Sequence, residues 1–89
     1  MAQIIVNSIE LRRFARLLVE IAEEIRGKKS LTTQRLDDLK KTLRGDKMRE
    51  FETVYANATQ EFDRFIKASL TYARYLEEKA ARVDRFLSR

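Results

Sequence analysis

The side chains of this sequence that could do chemistry are mostly carboxylates. Glu20, Glu23 and Glu24 stand together, as do Glu77 and Glu78, and carboxylates on facing helices can hold a metal in a bundle core. That chemistry needs a Glu-Xaa-Xaa-His partner motif, and the chain has no histidine. Cysteine is also absent, which removes thiolate nucleophiles, thiolate metal ligands and disulfides. Ser8, Ser30, Ser69 and Ser88 have no base that the sequence places beside them. There is no glycine-rich phosphate loop. The acids therefore read as solvated faces, and the chain is expected to be no enzyme and to carry no cofactor and no metal.

Basic residues offer a second chemistry. Arg12, Arg13 and Arg16 near the start could meet Arg82, Arg85 and Arg89 near the end, and Lys40, Lys41, Arg44, Lys47 and Arg49 cluster midway. Such groups bind phosphates with a steep salt dependence. The net charge is +5, yet Glu10, Glu20, Asp38, Asp46, Glu50, Glu78 and Asp84 are interspersed with these cations. A dedicated nucleic-acid surface gathers its cations on one element. A basic helical nucleic-acid-binding or nucleoid-associated protein is the alternative reading, and nucleic acid is not the expected partner.

The elements that position these groups follow from periodicity. At 89 residues, 44% apolar and 37% charged, the chain has the size of one domain and the balance of long helices. Asn7 with Glu10 has the form of a capping box, and Val6 with Leu11 that of a hydrophobic staple. Residues 3–6, Gln-Ile-Ile-Val, read as extended. From there Leu11, Phe14, Leu18, Ile21 and Ile25 recur three and four apart. The pattern weakens from Arg26 to Thr33 and resumes at Leu36, Leu39 and Leu43. Either one helix spans about 8–43, or it breaks near Gly27 and restarts at Ser30 or Thr32. The continuous helix is favoured because neither proline nor a turn cluster interrupts it.

Gly45 suits a helix C-cap and Asp46 the N-cap of a second helix over about 46–88. That helix holds a near-heptad rhythm through Met48, Phe51, Tyr55, Ala58, Phe62, Phe65 or Ile66, Ser69, Ala73, Leu76, Ala80, Val83 and Leu87. Asp63–Lys67 and Glu78–Arg82 stand at i, i+4. Folding at a turn over 43–46 sets residue i opposite roughly 89 minus i, and brings the polar waist at 28–33 against Ala56–Glu61. The expected fold is all-α, a single antiparallel helical hairpin over 1–89. Leu17, Phe65, Leu70, Tyr72 and Phe86 fall off its first seam. An exposed apolar stripe marks an interaction surface, so two hairpins are expected to dimerise into a four-helix bundle. Phe14, Leu18, Ile21, Ile25, Phe51, Tyr55, Phe62, Phe65, Ile66, Leu70, Ala73 and Leu76 are the expected hairpin and dimer packing residues.

A short start like QIIVNSIELRRFA, two long helices, and a corner at Leu43-Arg44-Gly45 followed by Phe51 and Tyr55 resemble the WXG family. These are ESAT-like helical-hairpin proteins of type VII (ESX) secretion. The resemblance covers nearly the whole chain, with Leu-Xaa-Gly in place of Trp-Xaa-Gly at the turn. It implies a secreted or co-secreted partner, or a targeting subunit, whose partner is itself, a related hairpin protein or a larger secreted toxin. The family's Tyr-Xaa-Xaa-Xaa-Asp/Glu export signal is missing. Tyr72 is followed four residues on by Leu76, and Tyr75 by Lys79, which implies that a partner carries the signal. No apolar run reaches the length of a membrane span, and no small-molecule substrate is expected. The N-terminus lacks a signal-peptide layout. The chain is expected to be made in the cytoplasm and, if exported, to leave without a classical signal.

Overall fold

Alternation of apolar residues three and four apart yields two long helices packed side by side. The computed structural model describes residues 7–88, with α1 at Ser8–Lys40 and α2 at Asp46–Leu87. The extended reading of residues 3–6, the staple position Val6 and Arg89 lie outside the described residues. The described residues hold no strand, and the fold is an all-α antiparallel hairpin.

Asn7 caps α1 in extended conformation, its side-chain oxygen accepting the Ile9 N–H at 2.9 Å. The capping box is not closed as its sequence form suggested. The Glu10 carboxylate turns to Arg13, 2.7 Å away, because a charged partner on the next turn outcompetes a backbone amide. The helix then runs unbroken through Gly27. A glycine there costs about 1 kcal/mol relative to alanine, and packing along the whole of α2 outweighs it.

The corner differs from expectation in its details. α1 ends at Lys40 rather than 43, and Lys41 and Thr42 form a turn whose amides reach Asp38 and Leu39. Gly45 is the N-cap of α2, not the C-cap of α1. Its φ of 141° and ψ of 177° belong to a region open almost solely to glycine. Asp46 is the first helical residue rather than the cap, and its carboxylate pairs with Arg49. An acid at this place also complements the positive helix start.

The helices meet along one heptad seam. On α1 it passes through Leu11, Ala15, Leu18, Ala22, Ile25, Lys29 and Leu36, and on α2 through Tyr55, Thr59, Phe62, Ile66, Ser69, Ala73, Leu76 and Ala80. Its buried members are Ala15, Ala22, Ile66, Ser69, Ala73, Leu76 and Ala80. Alanine and serine dominate this contact, and small side chains are what permit close approach within the usual range of about 8–10 Å for helix packing. This core lies toward the open end of the hairpin. Phe14 and Ile21, expected on the seam, stand beside it, and Phe14 is 48% exposed.

The waist is knit by polar contacts instead of apolar ones. Lys29 reaches Asp63 at 2.6 Å, and the Tyr55 hydroxyl bonds both Thr33 and the Lys29 carbonyl. Opposed residues therefore sum to about 90, as in Arg12–Glu77, Thr33–Tyr55 and Lys40–Glu52. Asp63 spans the hairpin rather than pairing with Lys67, and Glu78 forms no ion pair among the described residues.

Candidate interaction surface

A hairpin is one layer thick, so each helix has two flanks beside the seam, and the sequence treats them oppositely. On α1 one flank carries Phe14, Leu17, Ile21, Lys28, Leu31 and Arg35; on α2 the matching flank carries Phe51, Val54, Ala58, Phe65, Tyr72, Tyr75, Lys79 and Phe86. In antiparallel helices these two flanks lie on the same face. Together with Tyr55 and Phe62 on the seam edge, this face holds all five phenylalanines and all three tyrosines of the chain.

Two grooves follow the face. One, of about 390 Å³ at the waist, is lined by Ile21, Ile25, Thr32, Tyr55 and Phe62, with Glu24, Lys28 and Lys29 at its rim. The next, toward the tip, is lined by Leu36, Leu39, Leu43, Met48 and Phe51 with Arg35 and Lys47. The Phe51 and Tyr55 rings lie 6.0 Å apart, and those of Tyr72 and Tyr75 5.6 Å apart, both tilted. These aromatics cover one another in part, yet Phe65 remains 47% and Tyr72 50% exposed.

The opposite face is charged. Arg12 bridges α1 to both Glu77 and Asp84, the latter at 2.8 Å, and Lys40 reaches Glu52. The Ser8 hydroxyl and the Arg12 guanidinium hold the Asp84 carboxyl below its ordinary range. Leu70, expected on the exposed apolar stripe, sits on this side with Ala15, Val19 and Ala73, between Arg16 and Arg74. It is half-buried there and belongs to neither the aromatic face nor its grooves.

Of the expected packing residues, Ile66, Ala73 and Leu76 are buried between the helices. Leu18, Ile25, Tyr55 and Phe62 sit on the seam's aromatic side, while Phe14, Ile21, Phe51 and Phe65 belong to the aromatic face itself. The turn residues Leu43, Arg44 and Gly45 form the tip, where Leu43 and Met48 line a shared cavity with Lys40 and Glu52. The clustered tip cations are largely neutralised by neighbours, through Lys40–Asp37, Lys41–Asp38, Lys47–Glu50 and Arg49–Asp46.

Periodicity of the large apolar residues does not single out Ala15 as core, nor Lys28, Arg35 and Lys79 as part of the aromatic face. The signal for both is heptad position rather than hydrophobicity. Among the described residues no helix is long and apolar enough to cross a membrane, and no group of three or more potential ligands could hold a metal ion. No protein-family model matches the chain, and comparison with curated proteins and with solved structures gives no significant match.

Proposed function

We propose that this chain is a non-enzymatic interaction protein that works by pressing its aromatic face against a second helical hairpin to complete a four-helix bundle. The segregation of every phenylalanine and tyrosine to one side of a single-layer hairpin carries this reading. Buried aromatics dominate interface energetics, and a flank with no binding duty has no physical reason to hold them.

Shape supports the same conclusion. The accessible surface is 7467 Å², against about 5,400 Å² for a compact monomer of this mass. The radius of gyration is 19.9 Å, against about 12 Å for a globular chain of this length. A standard interface takes about 800 Å² from each partner, an area this slab has to spare.

The pathway we assign is type VII-like secretion, with this chain as a secreted or co-secreted partner or targeting subunit. The Leu43-Arg44-Gly45 tip and the two long helices support that assignment through their resemblance to the WXG layout. The experiment is deletion of this chain in a host with such a pathway, followed by measurement of the export of a co-encoded helical protein. Lost export with retained synthesis supports the role; unchanged export overturns it. A salt titration of DNA binding accompanies it. Tight binding at physiological salt, falling steeply as salt rises, would instead favour a nucleic-acid role.

A further inference from the structure

We infer that the charged face carries a separate docking site, centred on Arg16 and Arg74, for a short acidic helix of another protein. The site lies opposite the aromatic face and does not depend on what covers that face. Its groove, of about 450 Å³, has Ala15, Val19, Leu70 and Ala73 as floor, Arg16 and Arg74 on its two banks, and Glu20 and Glu77 at the rim. Opposed residues sum to about 90, so the two arginines stand level, one on each helix, with Val19 level with Leu70. Other charges that meet across the hairpin are opposite in sign, as in Arg12 with Glu77, Lys29 with Asp63 and Lys40 with Glu52. Arg16 and Arg74 are alike. An acid on either bank would favour the fold slightly, as at Arg12 and Glu77 one turn away. Two cations instead leave a positive field over an apolar floor.

The acids of this face leave that field in place. Glu77 and Asp84 go to Arg12, Glu23 to Arg26, and Asp63 to Lys29. The last of these pairs frees Lys67, which stands one heptad from Arg74 on the same bank. Glu20 and Glu78 follow the two arginines by four residues, the weaker order for a helical ion pair. Arg16, Lys67 and Arg74 accordingly have no ion-pair partner among the described residues.

The occupant follows from the banks and the floor together. A guanidinium takes a carboxylate through two parallel hydrogen bonds, so acids on both flanks of an entering helix reach both banks at once. Ala15 and Ala73 are small and buried, Val19 is 39% exposed and Leu70 half-buried. That floor seats a narrow aliphatic stripe. The matching segment is an amphipathic helix with one line of Leu or Ile flanked by Glu or Asp, laid into the groove. A nucleic-acid backbone could use the cations but would set phosphate and sugar against Val19 and Leu70, leaving the apolar floor without a partner.

Fluorescence anisotropy of the full chain with a labelled peptide tests the site. The probe repeats Leu-Ala-Gln-Leu-Glu-Gln-Glu over about 21 residues, long enough to hold a helix. We expect binding that weakens as salt rises. Arg16→Glu, Arg74→Glu and Val19→Asp should each weaken it about tenfold. All three positions are exposed, and circular dichroism checks that the variants stay helical. Arg85→Glu makes the same charge change at an exposed position away from the groove and should leave binding unchanged. An equal loss in Arg85→Glu would reduce the effect to net charge and overturn the site. Equal binding of a scrambled peptide of the same composition overturns the role of the floor. A DNA duplex that binds more tightly than the peptide, through the same two arginines, gives the groove to phosphate and overturns the acidic helix. Absence of peptide binding at about a hundred micromolar overturns the site and leaves the aromatic-face reading to its own export experiment.

Discussion

The Tyr55 hydroxyl sits 2.7 Å from the Thr33 hydroxyl and donates to the Lys29 carbonyl at 3.2 Å, closing one turn of α1 from across the hairpin. Thr33 and Lys29 are four residues apart, so one phenol addresses both ends of a single helical turn. This happens at the waist, where Lys28, Lys29, Ser30, Thr32 and Thr33 supply no apolar contact. Tyr55→Phe keeps the ring packing and deletes the hydroxyl. Because Lys29 also accepts within its own helix, no buried group is orphaned, and the expected cost is about 1 kcal/mol. Urea unfolding should show a lower midpoint with an unchanged slope.

Gly45 governs the corner through its backbone alone. A Cβ added there would meet nothing within 4 Å, yet φ is 141°. Gly45→Ala therefore creates strain without a clash, expected at about 1–3 kcal/mol. Thermal unfolding measures the loss. A stability change within a few tenths of a kcal/mol would mean that the corner relaxes into another turn.

The open end should respond to acid through Asp84. Hydrogen bonds from Ser8 and Arg12 lower its pKa in the folded chain from the ordinary 3.8. A lowered folded value means that its stabilisation is fully present above the unfolded pKa and is lost as pH falls through the folded one. Asp84→Asn should then reduce stability at pH 7, and its unfolding midpoint should fall less than the parent's on acidification below pH 4. Parallel curves for parent and variant would remove Asp84 from the acid response.

The hairpin itself was legible because large apolar residues recur at helical spacing on both sides of Gly45. The division of those residues between two surfaces was harder to read. The inner seam and the aromatic face share their edge positions, among them Leu18, Ile25, Tyr55 and Phe62, so tracking large side chains merges them into one broad stripe. Phe14 and Ile21 then read as core, while Ala15, which is buried between the helices, draws no notice and Ala22 only widens the stripe. Size alone puts Leu70 on the exposed stripe, although its heptad position sets it on the charged side. Ion pairing depended on tertiary placement too. Asp63 has Lys67 within one turn, but Lys29 stands 2.6 Å away across the hairpin.

The aromatic face should be separable from the fold by mutation. Phe65 is about half exposed and lies outside the buried seam, so Phe65→Glu removes no core contact. We expect helicity by circular dichroism to persist while the dissociation constant rises about 30- to 1,000-fold, as for the loss of a central interface aromatic worth about 2–4 kcal/mol. Arg74→Glu on the opposite face is the matched control and should leave association unchanged. Equal effects from both variants would place the interface elsewhere.

Gly27 tests whether the waist is a hinge or only a weak stretch of helix. It lies exposed within α1, and a Cβ there would meet nothing within 4 Å. Its helical conformation is one that alanine adopts without strain, so Gly27→Ala should stabilise the chain by about 1 kcal/mol. Amide hydrogen exchange at residues 26–33 should slow with it, because opening of that segment now costs more. If the waist must bend for the face to be occupied, the same variant will fold more stably but associate more weakly. If α1 stays straight in the bundle, association will hold or improve. The straight helix is the expected outcome, since the contacts from Tyr55 and Asp63 already hold α1 to α2 on both sides of Ser30.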